Sequence, residues 1–187
     1  RAVDEAAEIG AACLVMVVGG LPKGSRDLAG AHALVEEGLA RTLDYARTVG
    51  MPVAIEPLHP MYAAERSVIN TLRQANDIAE RFPAEQVGVV VDVFHVWWDP
   101  ELDVQVERAA GRILGFHVSD WIVPTPDLLL GRGMMGDGVI DMRRIRHTVE
   151  KAGYNGPIEV EIFNQKIWDM PGDDVLRLMK DRYLEHV

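Results

Sequence analysis

Five short apolar runs, each separated from the next by a stretch able to form a helix, constrain this chain more than any other feature. The runs lie at 12–18, 53–56, 87–94, 113–119 and 158–163. Around them the sequence predicts a helix end over about 1–10, a long helix over 27–49 stopped by Gly50, and a helix over 67–82 capped by Ser67, with Pro83 beyond it. A polar helix over about 101–110, a helix from the cap Asp141 to Gly153, and a terminal helix from Asp173 complete the series. Between 119 and 141 runs a long loop holding Pro124, Pro126 and glycines 131, 133, 136 and 138. Strand–helix alternation of this kind predicts a parallel sheet covered by helices. No composition break divides the chain, which is read as one domain over 1–187.

Two parallel architectures compete. A doubly wound sheet announces its ligand through a glycine-rich turn after the first strand. Here that turn reads Val-Gly-Gly-Leu-Pro-Lys-Gly (18–24), too irregular for a dinucleotide fingerprint. A (β/α)8 barrel instead distributes its chemistry over the C-terminal ends of several strands. That is the distribution found: Glu56, Asp92, His117 and Glu161 each come as an apolar run ends. A full barrel takes about 250 residues, so this chain is read as the C-terminal five β/α units of a (β/α)8 TIM barrel, with N-terminal units absent.

Charged groups are rarely placed at the ends of buried strands unless something pairs with them. Any one of them alone reads as a salt-bridge partner. Two glutamates, an aspartate and a histidine at equivalent ends of consecutive strands read as ligands for one divalent cation with open coordination positions. Alternation places Asp92 on a face with Val90 and Gly88, and His117 on a face with Gly115 and Ile113. Glu159 and Glu161 share a face; Glu161, nearer the strand end, is taken as the ligand, with Glu159 as a deeper alternative.

Other residues qualify by position. His95, three after Asp92, can aim into the same cavity and bind a substrate hydroxyl or help move a proton. Trp97 is taken as a pocket wall and Trp98 as loop packing. Arg132, in the glycine-rich loop, offers a fork of donors for a substrate oxygen, carboxylate or phosphate; the competing reading is a clamp onto Asp137. His59 and Arg66 lie in the loop after the second strand, and Lys23 and Arg26 in the loop after the first. His32 and His147 fall in helices, and Cys13 lies in an apolar run as a core thiol.

The bulk properties narrow the partners. With 29 acidic against 19 basic side chains, a formal net charge of -10 repels a phosphate backbone, so no nucleic-acid partner is expected. No apolar stretch reaches the ~18 residues that span a bilayer. No secretory signal is visible, so no membrane partner and a cytoplasmic location are expected.

The segments Ile-Glu-Pro-Leu-His-Pro (55–60), Val-Asp-Val-Phe-His-Val-Trp-Trp-Asp-Pro (91–100), Phe-His-Val-Ser-Asp-Trp (116–121), Arg-Gly-Met-Met-Gly-Asp-Gly-Val-Ile-Asp (132–141) and Glu-Val-Glu-Ile-Phe (159–163) resemble the xylose isomerase-like TIM barrel superfamily of sugar phosphate isomerases and epimerases. The resemblance implies that Glu56, Asp92, His117 and Glu161 hold one divalent ion (Mn²⁺, Mg²⁺, Co²⁺ or Zn²⁺) and that His95 contacts substrate. It implies an isomerase or epimerase of sugars or sugar phosphates. Such an enzyme takes a proton from beside a carbonyl through a metal-stabilised enediolate; here Glu56 and Glu161 are assigned as the acid–base pair, and Arg132 and Trp97 are read from their positions as substrate-binding. Alternatives are a dehydratase or lyase of the inosose or dehydroshikimate type, and a non-catalytic fragment that pairs with a second copy as a homo-oligomer. The abasic-site endonucleases of the superfamily carry a histidine shortly before their Gly-acid-Gly turn; residues 131–138 here contain none.

Overall fold

The computed structural model describes residues 1–187. Five strands form one sheet: β1 (Leu14–Met16), β2 (Val53–Ile55), β3 (Val87–Asp92), β4 (Ile113–Val118) and, after a short antiparallel ribbon β5 (Asp120–Trp121) and β6 (Arg132–Gly133), β7 (Ile158–Val160). The order is β1-β2-β3-β4-β7, with every pair parallel. A doubly wound sheet would show a reversal of strand order at its switch point. None occurs, so the sheet winds in one direction, as in a TIM-type barrel, and forms a half-barrel arc of that α/β fold.

Helix α1 (Ala2–Glu8) precedes β1, helices α2 (Leu28–Ala46), α3 (Leu72–Ala79), α4 (Val93–Val96) with α5 (Leu102–Arg108), and α6 (Met142–Lys151) fill the connections, and α7 (Gln165–Trp168) and α8 (Gly172–His186) follow β7. Parallel neighbours require such crossovers. The core lies between helices and sheet: Leu39 and Leu43 of α2, Leu72 and Ile78 of α3, Val106 of α5 and Ile145 and Val149 of α6 pack against Val53, Ile55, Val87, Val89, Val91, Phe116 and Val118. No helix is long and apolar enough to cross a membrane.

Local chemistry accounts for most boundaries. Gly50 adopts φ 66° and ends the turn Arg47–Val49 that extends α2, a left-handed position that favours glycine. Asp141 caps α6 by accepting from the Arg144 amide at 3.2 Å. The third helix differs from expectation. Ser67 does not cap it; the Ser67 hydroxyl is buried and bonded to the Ile69 backbone. Thr71 is the cap, in a capping box with Gln74, because the threonine–glutamine spacing satisfies two amides at once.

The face assignment in β4 also needs correction. Strands β3 and β4 change register between Val89 and Val90, so Val89 pairs with Ile113 but Val90 pairs with Gly115. Leu114 is the extra residue. Its Cγ lies 2.6 Å from where a Cβ on Gly88 would stand, so it covers the inner face. Ile113 turns instead into the helix-side core and does not share a face with His117. A bulge of this kind shifts parity by one residue.

Candidate metal centre

The parallel register brings the strand ends level. Asp92 pairs directly with His117, and His117 with Glu159. Glu56 follows β2 and donates its amide to Met16 O at 3.1 Å; Glu161 follows β7 and donates to Val118 O at 3.1 Å. Glu56, Asp92, His117 and Glu161 therefore meet, and one ligand atom from each lies within 4.8 Å of the others. Asp92 and Glu56 are buried, His117 is 7% exposed, and Glu161 is half-buried.

The contacts among them are not those of a finished hydrogen-bond network. His117 Nδ1 lies 3.5 Å from Glu56 Oε1 and 3.7 Å from Glu161 Oε2, beyond hydrogen-bond length. Both His117 Nδ1 and Glu56 Oε1 are buried without a hydrogen-bond partner. Orphaned buried polar atoms are costly, and a cation between them would satisfy both. The electrostatics agree. Burial alone disfavours the His117 imidazolium, but the Glu161, Glu56 and Asp92 carboxylates overcome it and push the pKa up to about 10. Burial pushes Asp92 up to about 7 against the pull of Arg132. His117 and Arg132 hold Glu161 down to about 2. The position attracts positive charge.

Glu159, the alternative ligand, lies outside the group. Its side chain is 68% exposed, and its nearest approach is 3.7 Å to His117 Nε2.

Arg132 is the centre of the site's organic charge. It is 3% exposed. Nη1 donates to Asp92 Oδ2 at 3.1 Å, to Glu161 Oε2 at 3.0 Å and to Glu161 O at 3.3 Å. The guanidinium lies over the Phe94 ring at 4.5 Å and the Phe163 ring at 4.9 Å. The clamp onto Asp137 does not form; Asp137 accepts from Arg182 at 2.8 Å and from the Met134 amide at 3.2 Å. Sequence reasoning missed the aromatic sandwich, whose one trace is a phenylalanine two residues past each of Asp92 and Glu161.

It also missed Asp120. This buried carboxylate accepts from the amides of Trp121 (2.8 Å), Gly136 (2.9 Å), Gly138 (2.9 Å) and Ile140 (3.0 Å). It folds the glycine-rich loop back onto the end of β4 and so places Arg132 on β6. A further acid three residues past a strand-end histidine was the available signal.

His95 is buried in α4. Burial and the Arg132 charge lower its pKa to about 2, so the ring is neutral. Nδ1 accepts from the His59 amide at 3.1 Å, and Nε2 lies 3.1 Å from Arg132 Nη2 and 3.6 Å from Asp92 Oδ2. Around it stands an aromatic group. His59 stacks on Trp121 at 4.7 Å, Trp121 meets Phe94 at 4.9 Å, and Tyr62 meets His95 edge-on at 6.0 Å. Trp97 packs against Trp121 at 5.7 Å, and its indole nitrogen is buried without a partner; the Trp98 nitrogen donates to His95 O at 2.8 Å. Arg66 lies over Tyr62 at 4.8 Å. Lys23, Arg26 and His147 are exposed, His32 Nε2 contacts Val68 O at 2.9 Å, and Cys13 is half-buried with its Sγ 3.9 Å from Leu114 O.

Comparison with known proteins is consistent with this geometry. The family model described as xylose isomerase-like TIM barrel matches residues 1–182. An inosose isomerase of Halalkalibacterium halodurans is 26% identical over 157 residues, which are 80% of this chain and 52% of that protein. A ketose 3-epimerase of Arthrobacter globiformis is 27% identical over 175 residues, 89% of this chain and 55% of that protein. The chain thus spans about half the length of these curated relatives. The crystal structure of a Sinorhizobium meliloti 1021 protein superposes with TM-score 0.96 at 54% identity, covering 100% of this chain and 68% of that one.

Proposed function

Because this chain belongs to the xylose isomerase-like TIM barrel family, we propose that it carries the metal centre of a divalent-metal-dependent isomerase or epimerase of sugars or polyols. One observation carries the proposal: four strand ends deliver Glu56, Asp92, His117 and Glu161 within 4.8 Å of one another, around two buried atoms that lack partners. The named activities of the relatives, inosose isomerase and ketose 3-epimerase, point to hydroxy-ketones, cyclic or open-chain, as the substrate class.

The four residues would hold the ion through three carboxylates and one imidazole, a mixed oxygen and nitrogen set that suits Mn²⁺, Mg²⁺, Co²⁺ or Zn²⁺. When bound, the ion supplies Lewis-acid polarisation of a carbonyl. The chain's own residues supply the rest. Glu161 is held ionised by His117 and Arg132, so it is present as the carboxylate that can accept a proton from the carbon beside a carbonyl, while the same two contacts lower its basicity. Glu56, on the opposite side of His117, returns a proton from the other face and inverts the centre. Return at the neighbouring carbon isomerises the sugar. His95 and Arg132 orient substrate oxygens from the buried side. The aromatic group that includes Trp97 and Trp121 walls the pocket and excludes water, which strengthens these charge contacts. Positioned acid–base catalysis of this kind contributes typically about 10²–10⁴-fold.

The test is a solvent-deuterium exchange screen over ketoses and inososes with metal-loaded protein, beside Glu161→Gln. Deuterium incorporation without loss of water, abolished by chelation and by Glu161→Gln, is the expected result. Exchange that survives both treatments overturns the assignment. Stoichiometric loss of water would transfer the same residues to a dehydratase.

A further inference from the structure

A neutral imidazole has one donor and one acceptor. The contacts of His95 do not match that inventory. The His59 peptide N–H donates to Nδ1 at 3.1 Å, while Arg132 Nη2, which carries only hydrogens, stands 3.1 Å from Nε2. A protonated ring would have no acceptor at all. One of the two contacts is therefore a meeting of two donors.

The peptide is the partner that cannot yield. His59 sits between two fixed backbone bonds, Leu58 N to Ile69 O at 3.0 Å and Tyr62 N to His59 O at 2.9 Å. Its own side chain accepts from the Met61 amide at 3.2 Å and stacks on Trp121. The guanidinium, by contrast, finds its acceptors through Nη1, so its Nη2 approach to His95 can be given up without losing one of those bonds. If Nδ1 accepts from the peptide, the ring proton is on Nε2.

We propose that the peptide N–H of His59 is a positioning group that holds His95 in its Nε2–H tautomer, so that His95 meets a ligand as a hydrogen-bond donor and does not accept a proton at Nε2. The loop after β2 thereby sets the chemistry of a side chain on α4. Resting on the function proposed above, this leaves proton abstraction to the two glutamates. The tautomer itself is independent of that function.

The test is nuclear magnetic resonance of the full chain labelled with ¹⁵N-histidine. With 6 histidines, the His95 ring is identified by its disappearance in His95→Gln. Long-range ¹H–¹⁵N correlations distinguish the two tautomers. The expected pattern is a protonated Nε2 and an accepting Nδ1. His59→Ala keeps the peptide N–H and retains the pattern. His59→Pro removes it at a residue whose φ is -48°, near the value of about -65° that proline imposes, and moves the proton to Nδ1 with Arg132 donating to Nε2. An Nδ1–H pattern in the unsubstituted protein overturns the proposal, whether or not His59→Pro folds. An unchanged pattern in a folded His59→Pro protein also overturns it. Because the spectrum needs no substrate, failure here leaves the proposed activity standing, and an inactive protein leaves the tautomer decided.

Discussion

At the scale of single residues, the site is a problem of charge. Two of its carboxylates share one guanidinium, and that guanidinium is buried between two phenyl rings. Removing one member of a buried, hydrogen-bonded charge group costs about 3–5 kcal/mol, because the partners stay behind uncompensated. Arg132→Met is therefore expected to lower the stability of the metal-free protein by about that amount, read as a shift of the urea midpoint. A divalent ion should reduce the loss, since it also neutralises Asp92 and Glu161. Equal loss with and without metal would show that the ion does not share these carboxylates. The sequence showed that Arg132 could reach a polar partner. It did not show which, because the choice between Asp137 and the Asp92–Glu161 pair depends on how the loop folds over Asp120.

At the scale of elements, the strands and helices follow from alternation, caps and stops visible in the chain. The deviations have local causes. Ser67 and Thr71 both resemble helix caps, but only Thr71 has Gln74 at the spacing that closes a capping box. Thr71→Ala is expected to destabilise the protein by about 1 kcal/mol, measured by urea unfolding; a neutral effect would show that α3 does not depend on this cap. The bulge at Leu114 left no signature in β4, because a single inserted residue leaves the apolar run intact while turning Ile113 to the other face. The ribbon β5–β6 was equally hidden, since its two-residue strands are too short to leave a period and the loop beyond them is held by the Gly136, Gly138 and Ile140 amides on Asp120.

At the scale of the whole molecule, stability and the metal centre are coupled. An ion that binds the folded chain alone stabilises it by about 2.7 kcal/mol at 100 times its Kd. In a chain of 187 residues that corresponds to a rise in Tm of roughly 5–10 °C. The rise is expected with Mn²⁺ or Zn²⁺, reversed by chelation and absent in His117→Ala, as measured by thermal melting. A melt indifferent to every divalent ion would count against the centre. The alternation of runs and helices by itself determined a parallel α/β sheet, because both periods and their order are written along the chain. The same sequence placed Glu56, Asp92, His117 and Glu161 at strand ends, because ionisable residues interrupt apolar runs there. Only the tertiary structure decided which groups meet: Arg132 against Asp92, the His59 peptide against His95, Asp120 against a loop up to 20 residues away. Those encounters depend on register and loop path, which are settled by packing across the whole sheet and leave no period in the sequence.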